Sequence, residues 1–313
     1  MDRGIMLIDV NNIGYAAMYQ PSLAHLQTSQ GQNTAAIFGF FYSFLSLMQK
    51  FPGRTPLMLW DSPQSWRKEI LPTYKDNRAD TPEKVNIREA YFKQQEKIKT
   101  SAALLGIPQA SAADFEADDI VAFCVSIKEN DYLGISSDTD WWQGLGSNFS
   151  IFSPRNKELI TSNNFPALSE RYGQFEDPIQ FILAKAIAGD KSDNIPGIEG
   201  VGIKGASVIL EGYFYDLEQL KNDSTTKSKK VKSIQEGWDI VTRNIQLMSW
   251  ESVRDLMPEI ELVTMEPQIE DFYAQCDQLE MAGIKKSYKY YARYFSESKN
   301  WQKNVQKWLS PIL

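Results

Sequence analysis

The 313-residue sequence has few of the residues that staple small exported folds or carry histidine chemistry. Its two cysteines, Cys124 and Cys276, lie far apart in helix-like segments, which excludes a disulfide-stapled fold and predicts buried thiols in a reducing cytoplasm. Its one histidine, His25, lies outside every motif, which excludes a histidine base or a histidine-rich metal site. No apolar run approaches the roughly 18 to 20 residues of a membrane span, and the start does not match a cleavable signal. We therefore expect a soluble, cytoplasmic protein without a membrane partner.

Basic residues are also fewer than acidic ones: 33 Lys and Arg stand against 40 Asp and Glu, and the net charge is −7. This balance at first argues against a nucleic-acid partner, because phosphate binding favours basic surfaces. Nine of the acids, however, fall in the motifs described below, and the remaining 31 acids face 33 bases. A locally acidic site can therefore coexist with basic surfaces elsewhere.

Three short apolar runs are typical of buried strands, and an aspartate ends each run or closely follows it. These runs are residues 5–9, 56–60 and 132–136, and helical patterns lie between or after them at 34–51, 84–105 and 116–129. This alternation predicts an α/β fold with a mostly parallel sheet. Because ligands collect at the carboxyl ends of such strands, we expect the aspartates to converge there.

The pattern becomes helical after about residue 175, interrupted by a hairpin with Gly and Pro at 195–205. We therefore divide the chain into domains at 1–175 and 176–313. Residues 221–233 hold five lysines against one aspartate and are predicted to be a mobile loop. Residues 285–308 hold seven bases, one acid and seven aromatics. Packing as a terminal helix is the default for that segment, with contact to duplex or to a partner as alternatives.

The first carboxylates each have two interpretations. Asp9, in LIDVNN, could bind a metal or cap the next helix, and Asp61, in LWDSPQSW, could bind a metal or open a turn. Glu116, Asp118 and Asp119 crowd the first turn of one predicted helix. A solvated cap remains an alternative there, but three adjacent carboxylates repel one another unless a cation sits among them.

Two further pairs of acids follow. Asp138 and Asp140, at i, i+2 spacing after the third strand, could hold one ion from a turn or form another cap. Asp190 and Asp193 open the most specific stretch in the chain, GDKSDNIPGIEGVGIKGA. Such a stretch predicts two helices joined by a glycine-rich hairpin.

The hairpin itself suggests a phosphate contact. Gly200 and Gly202 precede a helix whose first turn holds Lys204, and exposed N–H groups at a helix start can hold a phosphate without reading a base. Two helices so joined form a nonspecific clamp on a duplex backbone. A purely structural role for the glycines is the alternative.

The chain resembles the 5′-nuclease superfamily, which contains flap endonucleases, the 5′ nuclease domains of bacterial DNA polymerase I and bacteriophage 5′→3′ exonucleases. The resemblance rests on five motifs in the right order: LIDVNN, WDSPQSWRKEILPTYKDNR, EADDI, SSDTDW and GDKSDNIPGIEGVGIKGA. It implies a PIN-like sheet with flanking helices and a helical arch at about 75–105. It also implies a helical C-terminal region with a helix-hairpin-helix element at about 185–214.

The resemblance also implies roles for single residues. The tighter divalent ion would be surrounded by Asp9, Asp61, Glu116 and Asp118, with Asp119 beside them or bound through water. The second ion would be surrounded by Asp138, Asp140, Asp190 and Asp193. Lys75 and Arg78 would lie at the foot of the arch as catalytic and DNA-binding residues, and Arg67 is a further DNA-binding candidate. Tyr74 would stack on the terminal base or fix the lysine.

The implied cofactors are two Mg²⁺ ions, with Mn²⁺ as a substitute, and K⁺ at the hairpin. The carbonyls of Ile198 and Val201 could bind that potassium ion, but Gly197 stands where some members of the superfamily use a serine. This departure from the family pattern weakens the potassium prediction.

We thus predict a monomeric 5′→3′ exonuclease and flap endonuclease acting by a two-metal-ion mechanism, in a bacterial host cytoplasm if phage-encoded. Its expected partners are DNA with 5′ flaps, nicks or free 5′ ends, RNA–DNA hybrids during primer removal, and replication proteins. One alternative is a PIN-type ribonuclease, against which residues 189–206 argue. The others are a catalytically silent, structure-specific DNA-binding protein and a metal-binding scaffold.

Overall fold

The structure is a computed structural model. It describes residues 4–79, 81–256, 259–292, 295 and 298–312. The strands are β1 (Ile5–Asp9), β2 (Thr55–Leu59), β3 (Gln109–Ala112), β4 (Tyr132–Ile135), β5 (Phe149–Ser153), β6 (Glu158–Ile160), β7 (Gly189–Asp190), β8 (Ile195–Pro196) and β9 (Ile260–Val263). The helices are α1 (Val10–Met18), α2 (Ala35–Lys50), α3 (Arg67–Ile70), α4 (Pro82–Leu104), α5 (Ala117–Ser126), α6 (Phe165–Ser169), α7 (Pro178–Ala188), α8 (Ile203–Gly212), α9 (Leu217–Asn222), α10 (Lys229–Glu236), α11 (Trp238–Met248), α12 (Trp250–Arg254), α13 (Ile269–Gln278), α14 (Ala282–Tyr290) and α15 (Ser298–Leu309). Short 3-10 helices cover Asp76–Ala79 and Thr139–Gly144.

A seven-stranded sheet forms the centre, in the order β6-β5-β4-β1-β2-β3-β9. The five strands from β5 to β3 are parallel, and β6 and β9 add antiparallel edges. The runs predicted at 5–9, 56–60 and 132–136 become β1, β2 and β4, which neighbour one another. The fold prediction of a mostly parallel sheet with flanking helices is therefore confirmed.

The central strands are apolar on both sides because the sheet is covered on both faces. Successive residues of β1 alternate between the two cores: Ile5 and Leu7 belong to one, Met6 and Ile8 to the other. Helices α5, α7, α8, α10, α11 and α12 contribute to the first core, and α1, α2, α4, α13 and α14 to the second. This layered packing holds the carboxyl ends of the parallel strands at one edge.

The C-terminal part of the chain returns to the first sheet. Strand β9 pairs antiparallel with β3, and helices α13 and α14 pack against α4 and α2. The prediction of a helical C-terminal region is confirmed, and the division at residue 175 stays a prediction. One strand of this region, β9, belongs to the sheet of the N-terminal part. The sequence signal was weak because β9 alternates buried and exposed residues over only four positions.

The basic, aromatic segment at 285–308 packs as its default interpretation predicted. Tyr288, Trp301 and Val305 are buried, and the Tyr288 hydroxyl donates to the carbonyl of Phe41 at 3.0 Å. Residues 293, 294, 296 and 297 lie outside the described part of the chain. Hydrophobic packing thus accounts for most of the aromatic side chains in this segment.

The predicted mobile loop at 221–233 is wrong at both ends, because residues 221 and 222 end helix α9 and residues 229–233 begin helix α10. Ser228 caps that helix by accepting from the N–H of Val231 at 3.4 Å. Val231 and Ile234, one helical turn apart, are buried. The spacing of these two apolar residues was hard to recognise in the sequence because lysines on the outer face of α10 surround them.

The predicted arch region at 75–105 contains the 3-10 helix and the single long helix α4. The second half of α4 is part of the second core, where Tyr91, Gln94 and Ile98 are buried, while its first turns are exposed. No helix of the described chain is long and apolar enough to cross a bilayer.

Candidate active site

A cavity of about 240 Å³ lies at the carboxyl edge of the parallel strands. Seven of the nine predicted carboxylates line it: Asp9, Asp61, Glu116, Asp118, Asp138, Asp140 and Asp193. Three cations line it as well, namely Arg67, Lys75 and Arg78. Asp119 and Asp190 are not among the lining residues. The fold therefore brings together acids that are up to 184 positions apart in the sequence, from Asp9 to Asp193.

Asp9 and Asp61 end or follow neighbouring strands, as predicted. Asp9 caps α1 by accepting from the N–H of Asn12 at 2.9 Å, and it also accepts from the Ser136 hydroxyl at 2.9 Å. Asp61 accepts from the N–H of Ala117 at 2.8 Å. Asp9 caps α1 and still lines the cavity, so capping does not exclude the predicted role as a metal ligand. Asp61 also lines the cavity, and its bond to Ala117 joins residues far apart in the sequence rather than a local turn.

Asp61 is also held by residues that the sequence interpretation missed. The Asn11 amide donates to Asp61 at 2.7 Å, and the Asn11 carbonyl oxygen accepts from the hydroxyl of Tyr91 at 2.5 Å and from the amide of Gln95 at 3.1 Å. Gly14 makes room for this link, since a Cβ there would lie 2.5 Å from the Tyr91 ring. Helix α4 is thus bonded to a carboxylate of the cavity through one amide.

Glu116, Asp118 and Asp119 have three different environments on α5. Asp119 is fully buried, accepts two hydrogen bonds from Arg67 at 2.9 and 2.7 Å, and forms a capping box with Glu116. Glu116 accepts from Lys75 at 2.6 Å. Asp118 is 3.8 Å from Arg67. Asp119 therefore holds Arg67, while the other two carboxylates face the cavity.

Burial bears on the predicted roles of Arg67 and Tyr74. Arg67 is 2% exposed, donates to the carbonyl of Leu247 at 2.8 Å and lines the cavity, so it could contact a phosphate only inside the cavity. Tyr74 is likewise 2% exposed, with its ring under the Lys75 ammonium at 4.9 Å, which favours fixing the lysine over stacking on a base. The DNA-binding roles of both residues stay predictions.

Lys75 and Arg78 reach the cavity from the 3-10 segment at the foot of α4. Arg78 donates to Asp193 at 2.6 Å, and Lys75 lies 3.8 Å from the same carboxylate. The backbone N–H of Lys75 donates to the carbonyl of Asp193 at 2.9 Å, and the Asn194 amide donates to the carbonyl of Thr73 at 2.7 Å. The arch base is therefore bonded directly to the loop between β7 and β8.

The second group of acids surrounds a lysine that the sequence interpretation missed. Lys185, buried in α7, contacts Asp140 and lies 2.7 Å from Asp190. Although burial pushes the pKa of Asp190 upward, Lys185 holds it at about 2. The signal available was a lone lysine in the apolar helix, five residues before Asp190. Asp138 caps the following 3-10 helix by accepting from the N–H of Asp140 at 2.9 Å.

The glycine-rich turn of the hairpin, Gly200 to Gly202, is not among the residues that line the cavity, whereas Ile195 at the start of the hairpin is. Gly200 has a φ of 75°, and Gly202 and Lys204 are exposed at the start of α8. The buried amide of Asn244, also missed, donates to the carbonyls of Ala186 at 2.8 Å and Pro196 at 2.9 Å. Helix α11 thereby fixes the hairpin against α7.

Two observations limit the groups that could bind potassium at the hairpin. The carbonyl of Ile198 already accepts from the N–H of Val201 at 3.1 Å. A Cβ at Gly197 would lie 2.1 Å from the carbonyl carbon of Ala188, so a serine does not fit there in this backbone. Position 197 therefore has no side-chain hydroxyl to offer such an ion.

Several carboxylates of the cavity have raised pKa values, because nearby cations do not offset their burial. Burial, with Asp61 adding, raises the pKa of Asp9 to about 7, and burial raises that of Asp138 to about 6. Burial also raises the pKa of Asp118, whose Oδ1 is buried without a hydrogen-bond partner. Carboxylate oxygens are the ligands that Mg²⁺ and Mn²⁺ prefer. The donor set therefore fits divalent cations.

In this structure, acidic side chains of the cavity pair with lysine and arginine side chains of the protein itself. Over the described stretches of the chain, no three Asp, Glu, His or Cys side chains lie close enough together to hold one ion as they stand. Glu116 shows the reason: although burial raises its pKa, Lys75 and Arg67 hold it at about 2. Metal binding would exchange such pairs for carboxylate–metal contacts. Seven lining acids against three lining bases leave negative charge for such an exchange.

Two family models match this chain. Residues 4–173 match the 5′-3′ exonuclease, N-terminal resolvase-like domain, and residues 176–272 match the 5′-3′ exonuclease, C-terminal SAM fold. A thermostable DNA polymerase I of Thermus thermophilus is 33% identical over 228 residues, which are 69% of this chain and 26% of that protein. The chain thus spans about a quarter of that polymerase. A 5′-3′ exonuclease of Aquifex aeolicus is 27% identical over 91% of this chain and 94% of its own length.

Solved structures share the fold. The T5 5′-exonuclease with bound zinc is 26% identical, with a TM-score of 0.66 over 82% of this chain and 93% of that one. The T5 D15 protein co-crystallised with metal ions is 23% identical, with a TM-score of 0.64 over 96% of this chain and 99% of that one. The similarity therefore extends through both parts of the chain.

Proposed function

Because this chain belongs to the 5′-3′ exonuclease family, we propose that it is a metal-dependent, structure-specific 5′ nuclease that hydrolyses DNA phosphodiester bonds. The observation that carries the proposal is one cavity lined by seven carboxylates together with Lys75 and Arg78. Carboxylates alone would also suit a metal-binding scaffold. The added cations suit a substrate that carries phosphate.

The carboxylates would hold two divalent ions in two groups. Asp9, Asp61, Glu116 and Asp118 form one group, and Asp138, Asp140, Asp190 and Asp193 form the other. Mg²⁺, with Mn²⁺ as a substitute, would supply a hydroxide near neutral pH and stabilise charge on the leaving oxygen. Asp119 would act indirectly, because it holds Arg67 in place beside Glu116 and Asp118.

The chain itself positions the phosphate. Lys75 and Arg78 are within hydrogen-bond distance of carboxylates at the cavity and would turn to the phosphate oxygens as negative charge accumulates there. Tyr74, whose hydroxyl donates to Glu116 at 3.1 Å and to Asp193 at 3.2 Å, would keep these acids at a fixed separation. The protein thus contributes by positioning the phosphate and by its electrostatic field, rather than through a side chain that acts as a base.

The substrate would be DNA with a 5′ flap, a nick or a free 5′ end. The exposed N–H groups at the start of α8, with Gly200, Gly202 and Lys204, suit a duplex backbone beside the cavity. Removal of RNA from RNA–DNA hybrids, action as a monomer among replication proteins, and a cytoplasmic location complete the proposal. Potassium at the carbonyls of Ile198 and Val201 stays a prediction.

A cleavage assay tests the proposal. A 5′-labelled flap, a nicked duplex and an RNA–DNA hybrid are incubated with the protein and Mg²⁺, with EDTA as the control. Release of short 5′ products from the DNA flap only with Mg²⁺ is expected. Cleavage confined to RNA would indicate the PIN-type ribonuclease, and tight binding without any cleavage would indicate a silent DNA-binding protein.

Substitutions at the second group separate chemistry from binding. Asp138→Asn and Asp193→Asn should each lower turnover by more than roughly 100-fold, because each removes charge from an ion site, while flap binding changes little. Asp271→Asn, an exposed acid on α13, is the matched control and should leave both unchanged. Equal losses of turnover and binding in the two cavity variants would contradict this division.

A further inference from the structure

Helices α2 and α14 expose aromatic side chains on a surface apart from the cavity. On α2, Tyr42 is 66% exposed, and its ring stacks on that of Phe38, one turn earlier, with 6.5 Å between the centroids. On α14, Tyr290 is 80% exposed. These three residues are not among those that line the cavity. Exposed rings that lie close together mark interaction sites more often than scattered ones do.

The two helices pack side by side in the same direction. Near their starts, a Cβ on Gly283 would lie 4.0 Å from the Phe38 ring. Further along both helices, the Phe41 and Tyr288 rings are 6.0 Å apart, and the Tyr288 hydroxyl donates to the Phe41 carbonyl at 3.0 Å. The turn of α14 that follows Gly283 therefore lies beside Tyr42, which follows Phe38 by one turn.

One side of α14 faces outward next to Tyr42. Gly283, Lys286 and Tyr290 are exposed and follow one another at spacings of three and four residues, so they lie along the same side of the helix. Gly283 has no side chain to cover the neighbouring Phe38 ring, which stays partly exposed. We call Phe38, Tyr42, Gly283, Lys286 and Tyr290 the α2–α14 face.

The charge of this surface is positive, although the chain as a whole has a net charge of −7. Helix α2 contains one lysine and no acid, and α14 contains three lysines and no acid. The acids that precede α14 already have partners: Asp277 pairs with Lys285, and Glu280 accepts from the N–H of Ser29 at 2.8 Å. Over the residues that the structure describes, Lys286 has no carboxylate within 4.0 Å. The α2–α14 face therefore carries positive charge that no acid offsets there.

We propose that the α2–α14 face binds an acidic segment of a partner protein in which Asp or Glu alternates with aromatic or aliphatic residues. Its acids would pair with Lys286 and, at the border of the face, with Lys289, whose ammonium lies 4.9 Å from the Tyr273 ring. Its apolar side chains would pack on Tyr42 and Tyr290. Such a partner would hold the protein without occupying the cavity, so this site goes beyond the proposed hydrolysis.

A nucleic acid fits this face less well. Backbone binding relies on several cations that follow successive phosphates, whereas this face has one lysine and a second at its border. Three of its five residues are aromatic, which suits apolar side chains more than phosphates. Helix α14 also lies beyond residue 272, where the match to the C-terminal exonuclease model ends. The part of the face on α14 is therefore outside the matched nuclease region.

Peptide binding to the full chain tests the proposal. Fluorescence anisotropy in EDTA compares three labelled peptides of about ten residues: one alternates Asp with Leu and Phe, one has Lys in place of Asp, and one has Ser in place of Leu and Phe. Only the first should bind the wild type. Tyr42→Ala and Lys286→Ala should each weaken its binding roughly ten-fold, and Lys286→Arg should keep it. Phe214→Ala, which removes an 86% exposed aromatic after α8, is the control and should bind it like the wild type.

The other possible results would overturn the proposal. Equal binding of the Lys peptide would show attraction to the rings alone, and an acidic peptide that bound Tyr42→Ala and Lys286→Ala as tightly as the wild type would bind elsewhere. If no peptide bound, but Tyr42→Ala weakened binding of single-stranded dT, the face would belong to nucleic acid. Binding of neither probe would exclude both.

Flap cleavage with Mg²⁺ is measured on the same proteins as a separate readout. It should be unchanged in Tyr42→Ala and Lys286→Ala, because neither residue lines the cavity. If the wild type bound the acidic peptide but cleaved no flap, only the nuclease proposal would fail.

Discussion

At Asp9, burial and a neighbouring carboxylate act in the same direction. The pKa is raised to about 7, so in the folded, metal-free protein this group is protonated where it would be ionised in the unfolded chain. The stability that Asp9 contributes is therefore present below about pH 4 and is lost as the pH rises through about 7.

Asp9→Asn should consequently stabilise the metal-free protein more at pH 8 than at pH 5, because the amide stays neutral. The gain should grow by up to roughly 1.4 kcal/mol for each pH unit between pH 5 and the pKa of about 7. Urea denaturation in EDTA at both values measures it. A gain that did not vary with pH would show that ionisation of Asp9 is not its cause.

Lys185 allows a second prediction for a single residue. Lys185→Met leaves Asp140 and Asp190 without their shared cation, and breaking a buried pair in this way costs roughly 3–5 kcal/mol. Denaturation in EDTA should show this loss, and added Mg²⁺ should recover part of it by supplying positive charge at the same place. Lys285→Met removes an exposed pair with Asp277 and serves as the control. Equal stabilities of the two variants would contradict the prediction.

Single residues were predictable where the sequence fixes their position relative to a strand. Asp9, Asp61 and Asp138 follow central strands, and the parallel topology alone brings such positions to one edge. The burial of Arg67 and Tyr74 could not be predicted from their motif, since burial depends on distant partners such as Leu247. Spacing along a chain carries no information about such contacts.

At the scale of elements, α4 is joined to the carboxylate edge of the sheet through Asn11, which accepts hydrogen bonds from Tyr91 and Gln95. Tyr91→Phe removes only the hydroxyl that donates to Asn11, the amide that holds Asp61. Affinity for Mn²⁺ should fall roughly ten-fold, because partners of a ligand orient it for the ion. Isothermal titration calorimetry without DNA measures the change.

Tyr288→Phe is the matched control for that prediction. It also removes a buried hydroxyl that donates to one acceptor, the carbonyl of Phe41, and it does not line the cavity. Each variant should lose only about 1 kcal/mol of stability. If both variants bound Mn²⁺ equally, the link from α4 to Asp61 would have no effect on the ion.

Elements with strong periodicity were predictable, and short ones were not. Strands β1, β2 and β4 and helices α2, α4 and α5 appear within a few residues of the sequence expectation. Strand β3 reads QASA, which has no apolar run, and it forms because β2 and β9 pair with its two edges. Pairing with distant partners, rather than local preference, therefore decides such elements.

For the whole molecule, the net charge of −7 opposes a polyanion, and two divalent ions would reduce it to −3. Duplex affinity should therefore rise with Mg²⁺ beyond what screening explains. Lys204→Ala should weaken duplex binding uniformly across sequences and lower the slope of log affinity against log salt by about 1.

Titrations of a blunt duplex at several salt concentrations test this prediction. Lys128→Ala, an exposed lysine after α5, provides the control and should leave the slope unchanged. A sequence-dependent loss in Lys204→Ala would instead point to base contacts, which the exposed start of α8 does not require.

Strand β9 is synthesised long after the other strands of the sheet, so the sheet assembles in a fixed order. One hundred residues separate Ile160, the last residue of β6, from Ile260, the first of β9. At usual rates of roughly 5 to 20 residues per second, a ribosome needs about 5 to 20 s to make that interval. Throughout it, the outer edge of β3 has its N–H and carbonyl groups unpaired in the nascent chain. The sheet is therefore completed only after residue 260 has been made, long after its other strands.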